Sequence, residues 1–151
     1  MAILTALGLF LAGILAGMEL IVRYGIHPAL MRLPDRAHLE ARHEIVRIVR
    51  VIVPVVLLPS VLVGGAVAIL SGSDQGSVWR WAAVGAYLAY LIVVFAGTVP
   101  INDRFFRWDA ADPPEGWQAV IRRWALIDVV RSTLAVLAFG LFLIAAVIPH
   151  S

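Results

Sequence analysis

Four apolar stretches, each long enough to cross a lipid bilayer, constrain this chain more than any other feature of its sequence. They lie at about residues 2–22, 51–70, 81–101 and 124–149. A helix needs about 20 apolar residues to cross the hydrocarbon core, and lipid leaves the backbone no partners except its own. The sequence therefore predicts an all-α fold. We expect an antiparallel four-helix transmembrane bundle with short connections, forming one domain over residues 1–151.

The composition agrees with a membrane protein and excludes several kinds of chemistry. The chain is 62% hydrophobic and 15% charged, against about 45–50% and about 25% in soluble domains. It has no cysteine and no lysine, which excludes disulfides, thiolate nucleophiles, iron–sulfur clusters and lysine Schiff bases. The arginines flank the apolar runs and form no separate basic domain, so we expect no nucleic-acid partner.

The arginine distribution predicts the orientation in the membrane. Eleven of the twelve arginines lie in the first and third connections or just inside the fourth span, and the second connection carries only Arg80. By the positive-inside rule the first and third connections are cytoplasmic, and both termini lie outside the cytoplasm. We expect a protein of the bacterial inner membrane with the lipid bilayer as its partner, and a homo-oligomer is compatible with the sequence.

Local signals predict that two helices extend beyond the membrane into the cytoplasm. Asp35 follows Pro34 and can cap a helix that runs on into the second span. Asp112 precedes two prolines, and this pattern predicts that the fourth helix begins near Pro113. Four prolines are expected to kink, distort or end the first three helices. They are Pro28, Pro54, Pro59 and Pro100.

Polar residues in three of the spans share one predicted leaflet. Ionisable groups inside a membrane usually face the bundle interior, and here all of them lie toward the cytoplasmic boundary. Glu19, Arg23 and His27 follow at intervals of four and share one face of helix one. Asn102 ends span three, while Trp117, Trp124, Asp128 and Arg131 form a stripe on helix four. Converging faces would form a polar pocket with indole walls that opens toward the cytoplasm and suits a flat phenolic ligand.

Helix two offers a further polar cluster, made of Glu40, His43, Glu44 and Arg47, with Arg42 predicted on an outer face. These residues also have a purely structural interpretation. In it, Asp128 and Arg131 form an ion pair that only stabilises the fold, Glu19 and Arg23 form another, and the helix-two cluster is solvated. His27 then only bonds the backbone at a helix end. We expect Arg131 to turn inward and to meet Asp128, Glu19 or both, because an arginine cannot shed its proton to escape burial. Asn102 is expected near that pair.

Several segments together resemble the anthrone-oxygenase-like family of small four-helix membrane proteins. The resemblance covers nearly the whole chain and is most specific at Pro-Ile-Asn, residues 100–102, and at the stretch that enters span four. It is carried by Gly17, Pro28-Ala29-Leu30, Leu33-Pro34, Val99-Pro100-Ile101-Asn102, Arg107-Trp108-Asp109, Trp117, Arg123-Trp124 and Arg131. The resemblance implies an oxygenase of hydrophobic polycyclic phenols without an organic cofactor.

The chemistry expected on that resemblance begins with proton removal by His43 or Asp128. Arg131 and Asn102 would stabilise the oxyanion, and dioxygen would react with the carbanion. The predicted substrate-binding residues are Trp117, Trp124, Glu19, Arg23 and His27. A metal-assisted alternative uses Glu19, His43 and Asp128 as ligands. A second alternative is a non-enzymatic membrane subunit or small-molecule binding protein whose polar cluster only locks the helices together.

Overall fold

Four long helices make up the computed structural model, which describes residues 1–148. They are α1 (Ala2–Leu30), α2 (Asp35–Leu70), α3 (Ser77–Phe105) and α4 (Trp117–Val147). Each is long and apolar enough to cross a membrane, and residues 1–148 contain no strand. The predicted all-α four-helix fold is confirmed. The predicted end of the fourth span, at residue 149, lies outside the described residues.

Each helix packs against two others, so the four form a closed bundle. Helices α1 and α3 each contact both α2 and α4. Gly8 near the start of α1 faces Val63 near the end of α2, whereas His27 near the end of α1 contacts Arg42 near the start of α2. The start of each helix therefore lies beside the end of the other, so α1 and α2 run in opposite directions.

Two apolar clusters fill the interior, and the polar residues of α4 lie between them along the helix. The larger cluster includes Leu15, Leu57, Ala83, Tyr87 and Ala138. The second includes Leu39, Phe105, Trp117, Ile121 and Trp124. On α4 the buried polar side chains of Asp128, Arg131 and Ser132 separate the two clusters. The fold therefore surrounds these charges with packed apolar side chains, where their interactions with one another are strongest.

Two of the predicted helix boundaries can be compared with the structure. A helix begins at Asp35, but the prediction that Asp35 caps it is wrong, because Pro34 occupies the N-cap position and no side-chain cap hydrogen bond is formed. The prediction that the fourth helix begins near Pro113 is wrong, because α4 begins at Trp117. Pro114 disfavours helical geometry at Pro113. Gly116 then adopts a left-handed conformation, with φ of 76°, which an L-residue with a side chain rarely takes.

Helices α1 and α3 each contain one π-helical segment just before a proline. These segments are Val22–Ile26 and Val94–Thr98, and they precede Pro28 and Pro100. A proline lacks the N–H that an α-helix needs and clashes with the preceding turn, and a wider π turn relieves that conflict. The prolines therefore distort the helices without ending them at once, and each π turn changes the direction in which the following side chains point.

Candidate functional site

Arg131 is the centre of the buried polar network. Its Nε donates to Glu19 Oε2 at 2.7 Å, and its Nη2 donates to Asp128 Oδ1 at 2.8 Å. Its Nη1 lies 3.4 Å from the hydroxyl of Thr98. Arg131 is only 4% exposed, and both acids are buried. The prediction that Arg131 turns inward and meets the two acids is confirmed.

Glu19 links three helices through its two carboxylate oxygens. The hydroxyl of Tyr90 on α3 donates to Glu19 Oε1 at 2.7 Å, while Oε2 accepts from Arg131 on α4. The alternative pairing of Glu19 with Arg23 is not formed. The Arg23 guanidinium instead donates to Ser132 Oγ at 3.2 Å. Charge-assisted hydrogen bonds of this kind are short and strong, so the network fixes the relative positions of α1, α3 and α4.

The prediction that Arg42 lies on an outer face of helix two is wrong. The side chain is 2% exposed, and its Nε donates to His38 Nε2 at 3.1 Å. Its Nη2 lies 3.3 Å from His27 Nδ1, and its guanidinium lies 4.8 Å from the centre of the Trp124 ring. The interior face of α2 continues from the membrane span in helical steps, as the buried residues Leu57, Val53, Val46, Arg42, Leu39 and His38 show.

The hydrogen-bond partners of Arg42 are neutral. A ring nitrogen that accepts a hydrogen bond carries no proton, so the contacts with His27 and His38 require both of these nitrogens to be unprotonated. Within residues 1–148, Arg42 forms no ion pair with a carboxylate. Its charge is stabilised by imidazoles and by aromatic faces. Arg42 is therefore a buried cation whose hydrogen-bond partners are neutral and whose charged neighbour is Asp128.

The predicted stripe on α4 is confirmed, because Trp117, Trp124, Asp128 and Arg131 are all buried. Trp117 lies edge-on to His38, with ring centres 5.6 Å apart. The Trp124 ring is flanked by the guanidinium groups of Arg42, at 4.8 Å, and Arg131, at 5.9 Å. Trp124 also contacts His27 at a centre-to-centre distance of 5.7 Å. The indole of Trp124 thus joins the two polar clusters.

Two neighbouring cavities reach these residues. The lateral cavity, of about 160 Å³, lies between α2 and α3 and is lined by apolar side chains together with Arg50, Thr98, Asn102 and Arg131. The inner cavity, of about 30 Å³, is lined by His27, Arg42, Asn102, Trp124 and Arg131 and by six apolar residues. Asn102 and Arg131 line both cavities. The predicted proximity of Asn102 to Arg131 is therefore confirmed.

A larger cavity of about 410 Å³ lies elsewhere, near the opposite end of the bundle. It is lined by residues from the start of α1, the end of α2 and the end of α4, with Arg80 at its wall. None of the predicted site residues lines it. Its size alone does not make it the reaction site, because the buried acids, imidazoles and indoles lie at the other end.

The polar cluster of helix two does not join the network. His43 is half-buried, and its ring stacks on Phe106 at 6.4 Å. Glu40 and Glu44 form exposed ion pairs with Arg36 and Arg47, so the alternative of a solvated cluster is confirmed for these acids. Within the described part of the chain, no three His, Asp or Glu side chains form a group that could hold a metal ion.

The metal-ligand set predicted from Glu19, His43 and Asp128 is consequently not formed. Two of its members are bound to the Arg131 guanidinium, which competes with a cation for the same carboxylate oxygens. Four network residues were not predicted from the sequence: His38, Arg42, Tyr90 and Thr98. Arg42 lies on one of two apolar faces of α2, at intervals of three and four residues from Leu39 and Val46, and this pattern alone does not select that face.

Comparison with known proteins identifies the family to which the chain belongs. Comparison with curated proteins and with solved structures found no match. The family model described as anthrone oxygenase matches residues 43–141, about two thirds of the chain. The match contains Asn102, Trp124, Asp128 and Arg131, and thus the α3 and α4 side of the network. The chain belongs to the anthrone oxygenase family.

Proposed function

We propose that this membrane protein oxygenates a hydrophobic polycyclic phenol of the anthrone class in the lateral cavity. The observation that carries the proposal is an apolar cavity that ends at Asn102, Thr98 and Arg131, in a member of the anthrone oxygenase family. The walls suit an aromatic ring system, and the polar end suits its oxygen atom. Sites for small molecules commonly combine mostly apolar walls with a few polar groups in this way.

The substrate reaches the cavity from the bilayer. Leu58, Phe95 and Val99 line the cavity and are also exposed on the apolar outer surface of the helices, where lipid chains would surround them. A polycyclic phenol partitions into lipid, so it arrives between α2 and α3 without crossing water. The cavity of about 160 Å³ is smaller than typical ligand pockets of about 300–1,000 Å³. We therefore expect only the reacting edge of the substrate to enter it.

Arg131 provides the main electrostatic contribution to the reaction. Its guanidinium stays charged at any relevant pH, and Glu19 and Asp128 hold it in place. A fixed cation in a site of low dielectric constant stabilises the phenolate or enolate oxygen. Ionisation makes the ring carbon electron-rich, and that carbon is the one that dioxygen oxidises. Asp128 acts in this proposal as a positioning residue for Arg131.

The proton is released to water. Neither His43 nor Asp128 is among the residues that line the lateral cavity, whereas Arg50 lines it and is exposed. The proposal therefore replaces the predicted protein base with ionisation promoted by Arg131 and Arg50, the two guanidinium groups that line the lateral cavity. The net reaction turns a CH₂ group into a carbonyl: one atom of O₂ enters the product and the other leaves as water. The four electrons lost by carbon reduce O₂ completely, so no external reductant is needed.

The test is turnover of an anthrone by membranes that contain the protein, measured as O₂ uptake and ketone formation above the rate in membranes without it. A tryptophan at Val99, on the rim of the lateral cavity, should lower kcat/KM at least about tenfold by blocking entry. Val78→Trp is the matched control, because Val78 is exposed on the same helix but away from the lateral cavity, and it should change kcat/KM less than about twofold. A wild-type rate equal to the protein-free rate would contradict the proposal.

A non-enzymatic small-molecule binding protein is the second candidate. It is favoured by the internal pairing of Arg131, whose three nitrogens all contact groups of the protein. In that case the anthrone would bind and protect the protein against thermal unfolding, but O₂ uptake would not exceed the protein-free rate. The same preparation therefore separates the two candidates.

A further inference from the structure

Thr98 is a residue of α3 whose side chain lies in the wall of the lateral cavity. It ends the π-helical segment Val94–Thr98, it is 5% exposed, and it lines the cavity together with Asn102 and Arg131. Asn102 follows about one helical turn later on the same helix. The hydroxyl of Thr98 therefore belongs to the polar end of the cavity, where the oxygen atom of a phenolic substrate would lie.

The Thr98 hydroxyl accepts a hydrogen bond and donates none within the described part of the chain. Arg131 Nη1 donates to Thr98 Oγ1 at 3.4 Å. Hydroxyl groups elsewhere in the bundle behave differently, because those of Ser60, Ser132 and Thr133 each donate to a backbone carbonyl three or four residues earlier. That arrangement is common for serine and threonine inside a helix. The O–H of Thr98 is therefore still available for a further partner.

The π-helical segment gives Thr98 a backbone environment that the other three hydroxyl groups do not have. The carbonyl of Val94 accepts from the N–H of Val99, five residues later, so the turn that ends at Thr98 is wider than a turn of α-helix. Single π turns of this kind are frequent at functional sites. Here the turn accompanies a threonine whose hydroxyl bonds a cation and not its own helix.

Arg131 makes the Thr98 hydroxyl a better donor. A hydroxyl that accepts a hydrogen bond from a guanidinium is polarised, and successive hydrogen bonds in such a chain strengthen one another. Glu19 and Asp128 balance the charge of Arg131, but neither acid lines the lateral cavity. Thr98 is itself neutral, so an anionic oxygen can approach it without the removal of water from another charged group.

We infer that Thr98 is a catalytic residue whose hydroxyl donates a hydrogen bond to the phenolic oxygen of the substrate. This inference rests on the proposed function and adds a contact through which Arg131 acts on that oxygen. The hydroxyl keeps its proton throughout. A hydrogen bond to an ionised oxygen is shorter and stronger than one to a neutral oxygen. Thr98 therefore stabilises the reacting phenolate more than the phenol that first binds, and such a difference accelerates the reaction.

The test is Thr98→Val, which removes the hydroxyl and keeps the branched shape of the side chain. We expect kcat for the anthrone to fall at least about tenfold, while KM for the anthrone changes less than about threefold. The pH at which kcat is half-maximal should rise, because the phenolate loses a stabilising contact. Thr98→Ser restores the donor and should retain at least about a third of the wild-type kcat.

Thr133→Val is the control, because it also loses a threonine hydroxyl. Thr133 is exposed and lines neither the lateral nor the inner cavity, so kcat should change less than about twofold. A wild-type kcat in Thr98→Val would overturn the inference and leave the proposed function standing. An equal loss of kcat in Thr98→Ser and Thr98→Val would also overturn it, because the loss would then come from packing and not from the donor.

A second measurement does not depend on turnover. The probe is 2-naphthol, a phenol without a CH₂ group to oxidise, whose ionised form absorbs at a longer wavelength than its neutral form. In the presence of excess protein it should ionise at a pH at least about half a unit lower with the wild type than with Thr98→Val. Equal midpoints, or a naphthol that does not bind, would overturn the contact with Thr98. A wild-type protein without anthrone-dependent O₂ uptake would contradict the proposed function, and the titration would still decide whether Thr98 donates to a phenolic oxygen.

Discussion

Arg131→Leu is the substitution that most directly probes the buried network. It removes the hydrogen bonds from Arg131 to Glu19 and Asp128 and leaves two carboxylates buried without their cation. Loss of one member of a buried ion pair typically costs about 3–5 kcal/mol of folding free energy. For a chain of this size each kcal/mol lowers Tm by about 2–4 °C, so we expect a decrease of about 6–20 °C.

The assay is thermal unfolding in detergent, followed by circular dichroism. Arg36→Leu is the control, because Arg36 pairs with Glu40 on the exposed surface of α2, and its Tm should equal that of the wild type. Adding Glu19→Gln and Asp128→Asn to Arg131→Leu removes the unpaired charges and should recover at least about half of the lost stability. Equal Tm values for the wild type and Arg131→Leu would refute the reasoning that Arg131 is buried and paired.

Arg42→Leu should cost about 1.5–3 kcal/mol in the same unfolding assay, because it removes charge-assisted hydrogen bonds to His27 and His38; a Tm equal to that of Arg36→Leu would contradict its burial. His43→Phe should change anthrone turnover less than about twofold, since His43 is not among the residues that line the lateral or inner cavity, and a loss of more than about tenfold would restore His43 as the base. A reporter fused to the C-terminus should be active outside the cytoplasm, as the arginine distribution predicts, and cytoplasmic activity would reverse the orientation.

The partners of Arg131 could be predicted from the sequence because few alternatives existed. Glu19 and Asp128 are the acids that lie within or at the edge of the predicted apolar spans on α1 and α4, and an arginine in that environment must find a carboxylate, water or a headgroup. The helical stripe from Trp117 to Arg131 likewise follows from spacing on one long helix.

The environment of Arg42 could not be predicted in the same way. Helix two offers two apolar faces at this level, one with Ile45 and Ile48 and one with Leu39 and Val46. The structure buries Leu39 and exposes Ile48. Which face is buried depends on how α2 is rotated against its neighbours, and the local sequence pattern does not contain that information. The imidazoles and indole that stabilise Arg42 come in part from α1 and α4.

The π-helical segments account for another part of what spacing could not predict. Helical periodicity assumes 3.6 residues per turn, so one π turn shifts the phase of every later side chain. Thr98 ends the segment in α3 and points to Arg131. The periodicity of a regular helix gave no reason to predict Thr98 as a partner of Arg131. Gly-x-x-Pro occurs at both segments, at residues 25–28 and 97–100, and is the local signal that marks them.

Isotope labelling tests the central claim, that the protein itself catalyses insertion of an oxygen atom from O₂ into a hydrophobic phenol. Wild-type protein in lipid vesicles is supplied with an anthrone under ¹⁸O₂, and the labelled ketone is quantified against protein-free vesicles and vesicles that contain Val99→Trp. We expect one ¹⁸O atom in each new carbonyl group. The rate of labelled product should rise in proportion to the wild-type protein and fall at least about tenfold in the variant. Labelled ketone formed at the same rate in all three samples, or ketone oxygen derived from water, would contradict the central claim.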